Sequence, residues 1–275
     1  MEQLPKIEAR IESLGELDDL VGALRSMSAS HARAAQAAFQ ATRSYCRIIE
    51  RAIGSLAAMA NGAAVSGGAE NDRVLIAVGS EHGFVGGFNQ QLIDRVRSQM
   101  EEGEALIVVG RRGEARAREV GLAVERSFPM TSNVAGITPL ARRISARLTE
   151  ASSARIAFAR YRQGAAYDVT IKRVLPLKRS LTGSAAKDAA PLHHLPLARL
   201  MQGLASEYLF AEVADALVES LASENAARLR TMEAASRNIE DKLDKLRRDE
   251  RAVRQEEITS DLLDVVTGVA AVIED

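Results

Sequence analysis

The sequence predicts an α/β fold in which long N- and C-terminal helices form an antiparallel coiled coil, together with a central Rossmann-like α/β domain. Two observations support this prediction. Proline is absent from residues 6–128 and again after Pro196, so both ends of the chain can form long unbroken helices. Between these ends, apolar runs of strand length alternate with helical patterns, an order typical of a mainly parallel sheet. We expect four parts: a coiled-coil helix over 1–58, a linker over 59–72, a central α/β domain over 73–200, and a coiled-coil helix with an apolar tip over 201–275.

An apolar stripe predicts the first helix. Its members recur at spacings of three and four, as in a coiled-coil seam: Leu4, Ile7, Ile11, Leu14, Leu17, Val21, Leu24 and Met27. Beyond Met27 the stripe continues on alanine, which allows a neighbouring helix to approach closely. Residues 61–68 are small and rich in glycine, which predicts the linker.

Alternating patterns in the middle of the chain predict the central domain. Strands are expected at 73–78, 105–109, 155–158 and 167–175, and helices at 92–100, 113–120 and 140–150. Thr138 followed by Pro139 is a helix start signal, with a capping residue and then a proline in the first turn. Residues 180–191 are expected to form a loop.

The last helix is predicted to be longer than the first. Residues 204–273 would span on the order of 105 Å, and the two terminal helices would differ by about 20 Å at the helical rise. Antiparallel pairing would therefore leave the tip, residues 258–273, without a partner helix. The tip is apolar on most sides, so we expect a partner outside this chain to enclose it. The mixed-charge stretch 240–257 indicates a solvated helix face, and contact with protein partners is the alternative.

Composition limits the classes of partner. The formal net charge is −1, which gives no field that would recruit nucleic acid, so no nucleic-acid partner is expected. Cys46 is the single cysteine, which excludes an internal disulfide and favours a reducing compartment. The apolar run 262–273 is interrupted by Asp264 and is too short to cross a bilayer, so no direct bilayer insertion is expected.

A glycine cluster after the first predicted strand is the candidate for ligand chemistry. Gly83, Gly86 and Gly87 lack the G-x-G-x-x-G spacing of a dinucleotide loop, and no Lys-Ser/Thr pair follows them. The cluster therefore favours a structural loop with positive φ and close backbone approach. Arg111 and Arg112 follow the second strand and could hold a 2′-phosphate, so an NADP-type enzyme with helical dimerisation arms remains an alternative.

No group of residues in the sequence has the spacing of a catalytic or metal site. The four histidines have no metal-ligand spacing with cysteine or paired carboxylates. We expect no catalytic residues, no metal and no cofactor. A plain coiled-coil adaptor is a further alternative.

The most specific pattern lies in the last helix. Residues 222–228 (ASENAAR), followed by Met232 and Asn238, resemble the A-S-E-Q-A-A-R-M stretch of the gamma subunit of rotary F-type ATP synthases. Residues 254–271 are similar to the family's R-Q-x-x-I-T-x-E-L and V-x-G-A-A-A patterns. The loop 80–89 (SEHGFVGGFN) is similar to its S-D-R-G-L-C-G-G-L-N, and residues 20–33 resemble part of its first helix. The resemblance covers nearly the whole chain in order.

This resemblance implies the non-catalytic central shaft of an F-type ATP synthase. In that family the coiled coil turns inside a ring of alpha and beta subunits, and the α/β foot binds the epsilon subunit and the membrane rotor ring. Rotation couples ion flow to ATP synthesis or hydrolysis, at the cytoplasmic side of the plasma membrane and peripheral to it. Matching positions imply contacts with the alpha/beta hexamer at Leu24, Arg25, Met27, Arg254, Gln255, Thr259, Asp261, Leu262 and Val266.

Several positions depart from the family pattern. Leu24 stands where methionine is usual, His82 replaces an arginine, and Arg251 replaces an asparagine beside the contact residues. Such charge changes suggest that the partner alpha and beta chains have diverged as well, as in a variant or second-copy rotary ATPase. Coupling of that ATPase to Na⁺ is one hypothesis. The coupling ion is selected in the membrane ring, so this chain does not identify it.

Overall fold

The computed structural model describes residues 3–59, 72–162, 166–177 and 193–273. Most of the predicted linker (60–71) and the predicted loop at 180–191 lie outside these residues. The helices are α1 (Gln3–Met59), α2 (Phe88–Gln99), α3 (Arg111–Glu119), α4 (Ile137–Leu148) and α5 (Leu197–Ile273). The strands are β1 (Arg73–Val78), β2 (Glu104–Val109), β3 (Val124–Phe128), β4 (Ser153–Tyr161) and β5 (Tyr167–Leu175).

The two terminal helices are as long as the proline-free stretches predicted. Helix α1 has 57 residues and α5 has 77, and α5 begins directly after Pro196. Contacts divide the chain into two units, residues 1–27 with 230–275 and residues 28–229. We call these the helix-pair unit and the sheet unit. The domain boundaries expected from the sequence stay a prediction.

The sheet unit is built on one five-stranded sheet in the order β3-β2-β1-β4-β5. Four strands are parallel, and β5 runs antiparallel to β4. In the centre of the sheet Leu75 pairs with Leu106 on one side and with Arg155 on the other. The mixed, mainly parallel α/β sheet predicted from the alternating pattern is therefore confirmed.

Helices cover both faces of this sheet. Successive side chains of a strand point to opposite faces, so β1 contributes Val74, Ile76 and Val78 to one core and Leu75 and Ala77 to the other. The first core lies against α4 and those parts of α1 and α5 that belong to the sheet unit. The second core lies against α2 and α3.

Two local expectations needed correction. Strand β3 was not predicted, because it is an edge strand whose middle residues, Glu125, Arg126 and Ser127, are exposed and hide any alternation. Helix α4 begins at Ile137 rather than at the Thr138-Pro139 signal, after a 3₁₀ turn whose Gly136 N–H donates to the Asn133 side chain at 3.1 Å.

Candidate contact surfaces and the polar core of the long helix

The helix-pair unit is an antiparallel pair. The Glu8 carboxylate lies 2.9 Å from the Arg254 guanidinium, and Ser236 donates to the Asp18 carboxylate at 3.0 Å. As residue numbers increase along α1, the residues that they contact on α5 have decreasing numbers, which confirms the antiparallel coiled coil. The buried core of the pair consists of Val21, Met232, Ile239 and Leu243, with Ile11, Leu14 and Leu24 packed against it.

Two positions of the predicted seam, Leu17 and Met27, are wrong, because both side chains are exposed. Beside Leu17, Asp18 turns inward to bond Ser236. The inward positions Ile11, Leu14, Asp18 and Val21 keep the spacings of four and three that a helix face requires. The hydrophobicity pattern did not identify the inward position of Asp18, because this residue is polar.

The end of α5 extends beyond the described part of α1. Continuing the Glu8–Arg254 register to the first described residue of α1, Gln3, places it opposite Thr259, and α5 continues to Ile273. Beyond this point Leu262 and Val266 are 61% and 64% exposed. We call the exposed apolar side chains at this end the apolar tip: Ile258, Leu262, Leu263, Val265 and Val266. Their exposure agrees with the overhang expected from helix length.

Most of the predicted contact residues also lie on the surface of the helix-pair unit. Arg25, Met27, Gln255 and Asp261 are exposed. Leu24 differs, because it is half-buried against the core of the pair.

Two of the predicted contact residues are already engaged within the pair. Arg254 forms ion pairs with both Glu8 and Glu250. The Thr259 hydroxyl donates to the Gln255 carbonyl of its own helix at 2.8 Å. A partner that meets these side chains would have to compete with these bonds or add to them.

The glycine loop is only partly the turn that its composition predicted. Gly86 has φ +57°, as expected, but neither Gly83 nor Gly87 lies in the left-handed region. The other left-handed residue of the loop is Phe84, with φ +60°. Close backbone approach occurs instead at Gly110, where an added Cβ would lie 2.6 Å from the Ser80 carbonyl oxygen.

An internal carboxylate lies at the start of α3, beside the arginine that was considered as a holder of a 2′-phosphate. The Glu81 side chain accepts from the backbone N–H groups of Arg111 (3.2 Å) and Met130 (2.9 Å) and forms an ion pair with the Arg111 guanidinium at 2.7 Å. Its carboxylate thus caps the start of α3, the end of a helix that binds anions. Arg111, one of the two arginines on which the NADP-type alternative rests, is therefore already engaged within the chain.

A row of buried charged residues on α5 escaped the sequence reasoning. Five side chains of this helix are buried in the sheet unit: Glu212, Asp215, Glu219, Glu224 and Arg228. Lys172 of β5 forms an ion pair with Glu212, and Thr42 of α1 donates to Asp215 at 3.1 Å. Arg160 of β4 lies 3.9 Å from Glu219. Every residue from 208 to 228 is buried, and the mixture of Ala, Val and Leu on all sides of this segment was the available signal.

Burial changes the acidity of several groups in this row. Removal from water raises the pKa of Glu219 to about 7, with Asp215 adding to the rise and Arg160 opposing it. Burial also raises the pKa of Asp215. The nearby Cys46 thiol has its pKa raised to about 12 by burial and the facing carboxylates, so it is a structural thiol rather than a nucleophile.

Two properties of the described residues bear on function. In that part of the chain no group of three or more His, Cys, Asp or Glu side chains is arranged to hold a metal ion. None of the helices described is long and apolar enough to cross a membrane.

The fold is similar to that of chains in solved mitochondrial ATP synthase structures. The chain superposes on a chain of the Euglena gracilis mitochondrial ATP synthase (OSCP/F1/c-ring) with a TM-score of 0.65 and 15% identity, covering 98% of this chain and 94% of that one. A chain of the Tetrahymena thermophila mitochondrial ATP synthase central stalk/c-ring gives a TM-score of 0.56 and 18% identity, covering 79% and 99%.

Sequence comparison identifies the family. Residues 3–272 match the model of the ATP synthase family, and the chain belongs to that family. It is similar to the ATP synthase gamma chain of Rhodospirillum rubrum, with 26% identity over 99% of this chain and 100% of that one. The gamma chain of Solibacter usitatus is 29% identical over 98% and 99%. The gamma chain is a non-catalytic subunit of a complex that synthesises or hydrolyses ATP.

Proposed function

We propose that this chain is the central rotating shaft of an F-type ATP synthase. It couples ion flow through a membrane rotor ring to ATP synthesis or hydrolysis in an alpha/beta hexamer. The observation that carries the proposal is the exposed apolar tip on α5, in a chain that matches the family over residues 3–272. Large apolar side chains clustered at a helix end favour enclosure by another protein.

The proposal assigns separate partners to the two units. The helix-pair unit contacts the alpha/beta hexamer through Leu24, Arg25, Met27, Arg254, Gln255, Thr259, Asp261, Leu262 and Val266. The sheet unit binds the epsilon subunit and the rotor ring. The loop containing Gly83, Gly86 and Gly87 is a structural part of that unit. The complex lies peripherally at the cytoplasmic side of the plasma membrane.

Exposure supports the assignment of the tip as a rotor surface. Ile258 is 55% exposed and Leu262 is 61% exposed, and both lie on one helix face four residues apart. A partner that surrounds this face would remove both side chains from water. Burial of each would contribute up to about 1.5–3 kcal/mol.

Co-expression with the alpha and beta chains encoded beside this gene tests the proposal. A tag on this chain should recover a stable complex with ATPase activity. Replacement of Ile258 by Glu should weaken that assembly, because a charge at the tip would have to be buried. Ile48→Glu is the matched control, since Ile48 is 52% exposed on the sheet unit.

Truncation after Glu257 is the complementary test. It should leave the sheet unit folded while weakening assembly with the hexamer. Recovery of the wild-type chain alone or as a homodimer would contradict the shaft and favour an adaptor. Equal assembly of the wild-type chain, the truncated chain and Ile258→Glu would contradict the role of the tip.

A further inference from the structure

Arg228 holds the loop that follows β1 through hydrogen bonds to its main chain. The guanidinium lies on α5 and is 9% exposed. Its Nε donates to the Gly83 carbonyl at 3.1 Å and its Nη2 to the His82 carbonyl at 3.4 Å. The remaining donors are directed by α5 itself, towards Glu224 at 2.6 Å and Asn225 at 3.2 Å. One side chain thus joins two consecutive carbonyls of the loop to two residues of the helix.

The loop needs such a partner because its conformation is costly. Phe84 follows the two bonded carbonyls and has φ +60°. A bulky residue with positive φ stores strain of about 1–3 kcal/mol, which persists only where the surroundings enforce it. Its ring supplies little of that enforcement, because Phe84 is 65% exposed.

Separate contacts hold the two ends of the loop. Asn89 accepts from the Ser80 N–H at 3.0 Å and donates to the Ser80 hydroxyl at 2.8 Å. Glu81 is bound to the start of α3, and Val85 is buried in a small apolar cluster. These anchors fix where the loop begins and where it returns to the core. Between them, the Gly83 carbonyl is held by the guanidinium, and the His82 carbonyl accepts from both the guanidinium and, at 2.9 Å, the Ser80 hydroxyl.

We propose that Arg228 is a positioning residue that fixes residues 82–85 in the conformation that projects Phe84 outward. The planar fork of arginine suits this task, because its donors can meet two carbonyls and a carboxylate together. The loop and this part of α5 consequently behave as one rigid body.

Hydrogen–deuterium exchange of the full-length chain tests the positioning role. Arg228→Lys keeps a positive charge opposite Glu224 but replaces the fork by a point donor. We expect the amides of residues 80–88 to exchange roughly tenfold faster, as the loss of charge-assisted hydrogen bonds predicts. Exchange along residues 208–222 of α5 should stay unchanged.

Two further variants keep the test decisive. Arg147→Lys is the matched control, because Arg147 forms a part-buried ion pair with Asp72 and makes no contact with the loop in the described structure. Asn225→Ala removes the acceptor that orients the fork without leaving a charge unpaired, and should speed loop exchange by a smaller factor. If Arg228→Lys fails to fold, Asn225→Ala provides the test.

Each outcome decides the proposal. Faster exchange confined to the loop in the Arg228 and Asn225 variants supports it. Equal exchange in all variants, faster exchange that extends along α5, or the same change in the Arg147 variant overturns it. Assembly with alpha and beta chains is scored separately. A wild-type chain that does not assemble would refute the shaft and leave the exchange result intact.

Discussion

Removing the Lys172 ammonium should strongly destabilise the sheet unit. Lys172 forms an ion pair with Glu212, whose side chain is 1% exposed and whose two carboxylate oxygens are buried. Glu212 also lies near a second carboxylate, Asp215. In Lys172→Met the Glu212 carboxylate would lose its counterion while staying buried. Breaking a buried pair in this way costs about 3–5 kcal/mol.

The cost should depend on the unpaired charge rather than on lost packing. Replacing both partners, as in Lys172→Met with Glu212→Leu, removes the buried charge and should recover most of the stability. Arg162→Met is the control, because Arg162, directly after β4, forms an exposed ion pair with Asp168 of β5. It should change the free energy of unfolding by less than about 1 kcal/mol.

Chemical denaturation of the full-length chain followed by circular dichroism measures these free energies. The single Lys172 variant should show a midpoint clearly below that of the wild type, and the double variant should lie close to the wild type. A double variant as unstable as the single one would refute the reasoning, because the loss could then not come from a stranded carboxylate. A single variant that loses less than about 1 kcal/mol would refute it as well.

Three other predictions follow from buried or strained groups. Burial raises the folded-state pKa of Glu219 from 4.5 to about 7, so the contribution of Glu219 to stability is present below pH 4.5 and is lost as the pH rises to about 7. Glu219→Gln should therefore reduce the fall in unfolding free energy that is measured between these pH values. An unchanged dependence of the unfolding free energy on pH would contradict the raised pKa of Glu219. Gly110→Ala should lower the free energy of unfolding, measured by denaturation, by at least about 2 kcal/mol, because Gly110 has φ +94° and the new Cβ would clash with backbone atoms. Gly103→Ala should lower it by less, because Gly103 has φ +77° but open space around the new Cβ. Cys46 should resist a thiol reagent in the native chain and react on unfolding, because it is buried and burial raises its pKa to about 12; rapid native labelling would count against this.

The long helices and the core strands could be predicted because their signals are local. The absence of proline after Pro196 predicted an unbroken last helix, although α5 begins at Leu197 rather than at the expected residue 201, and the apolar run 73–78 gave β1 with its observed bounds. Strand β3 could not be found in this way, since its residues pair with β2 alone and face solvent. Its assignment depends on a neighbouring strand that local patterns do not reveal.

The exposed tip was more accessible to sequence reasoning than the polar interior. Helix length predicted the exposed tip, because register and rise are simple geometry. The burial of Glu212 and Glu219 depends on where Lys172 and Arg160 lie in the folded sheet, 40 and 59 residues earlier in the chain, respectively. A charged residue on a helix is normally read as exposed. Only tertiary structure reveals that these four side chains face one another.

The Glu81 carboxylate also bears on how this subunit behaves among nucleotides. A parallel sheet with a glycine loop and exposed helix starts is an architecture that elsewhere collects phosphates. Here the chain supplies its own anion at the start of α3 and satisfies Arg111 and Met130 with it. A phosphate that approached this edge would meet a negative charge and donors already taken. A phosphate could therefore bind at the start of α3 only by displacing the Glu81 side chain from these donors.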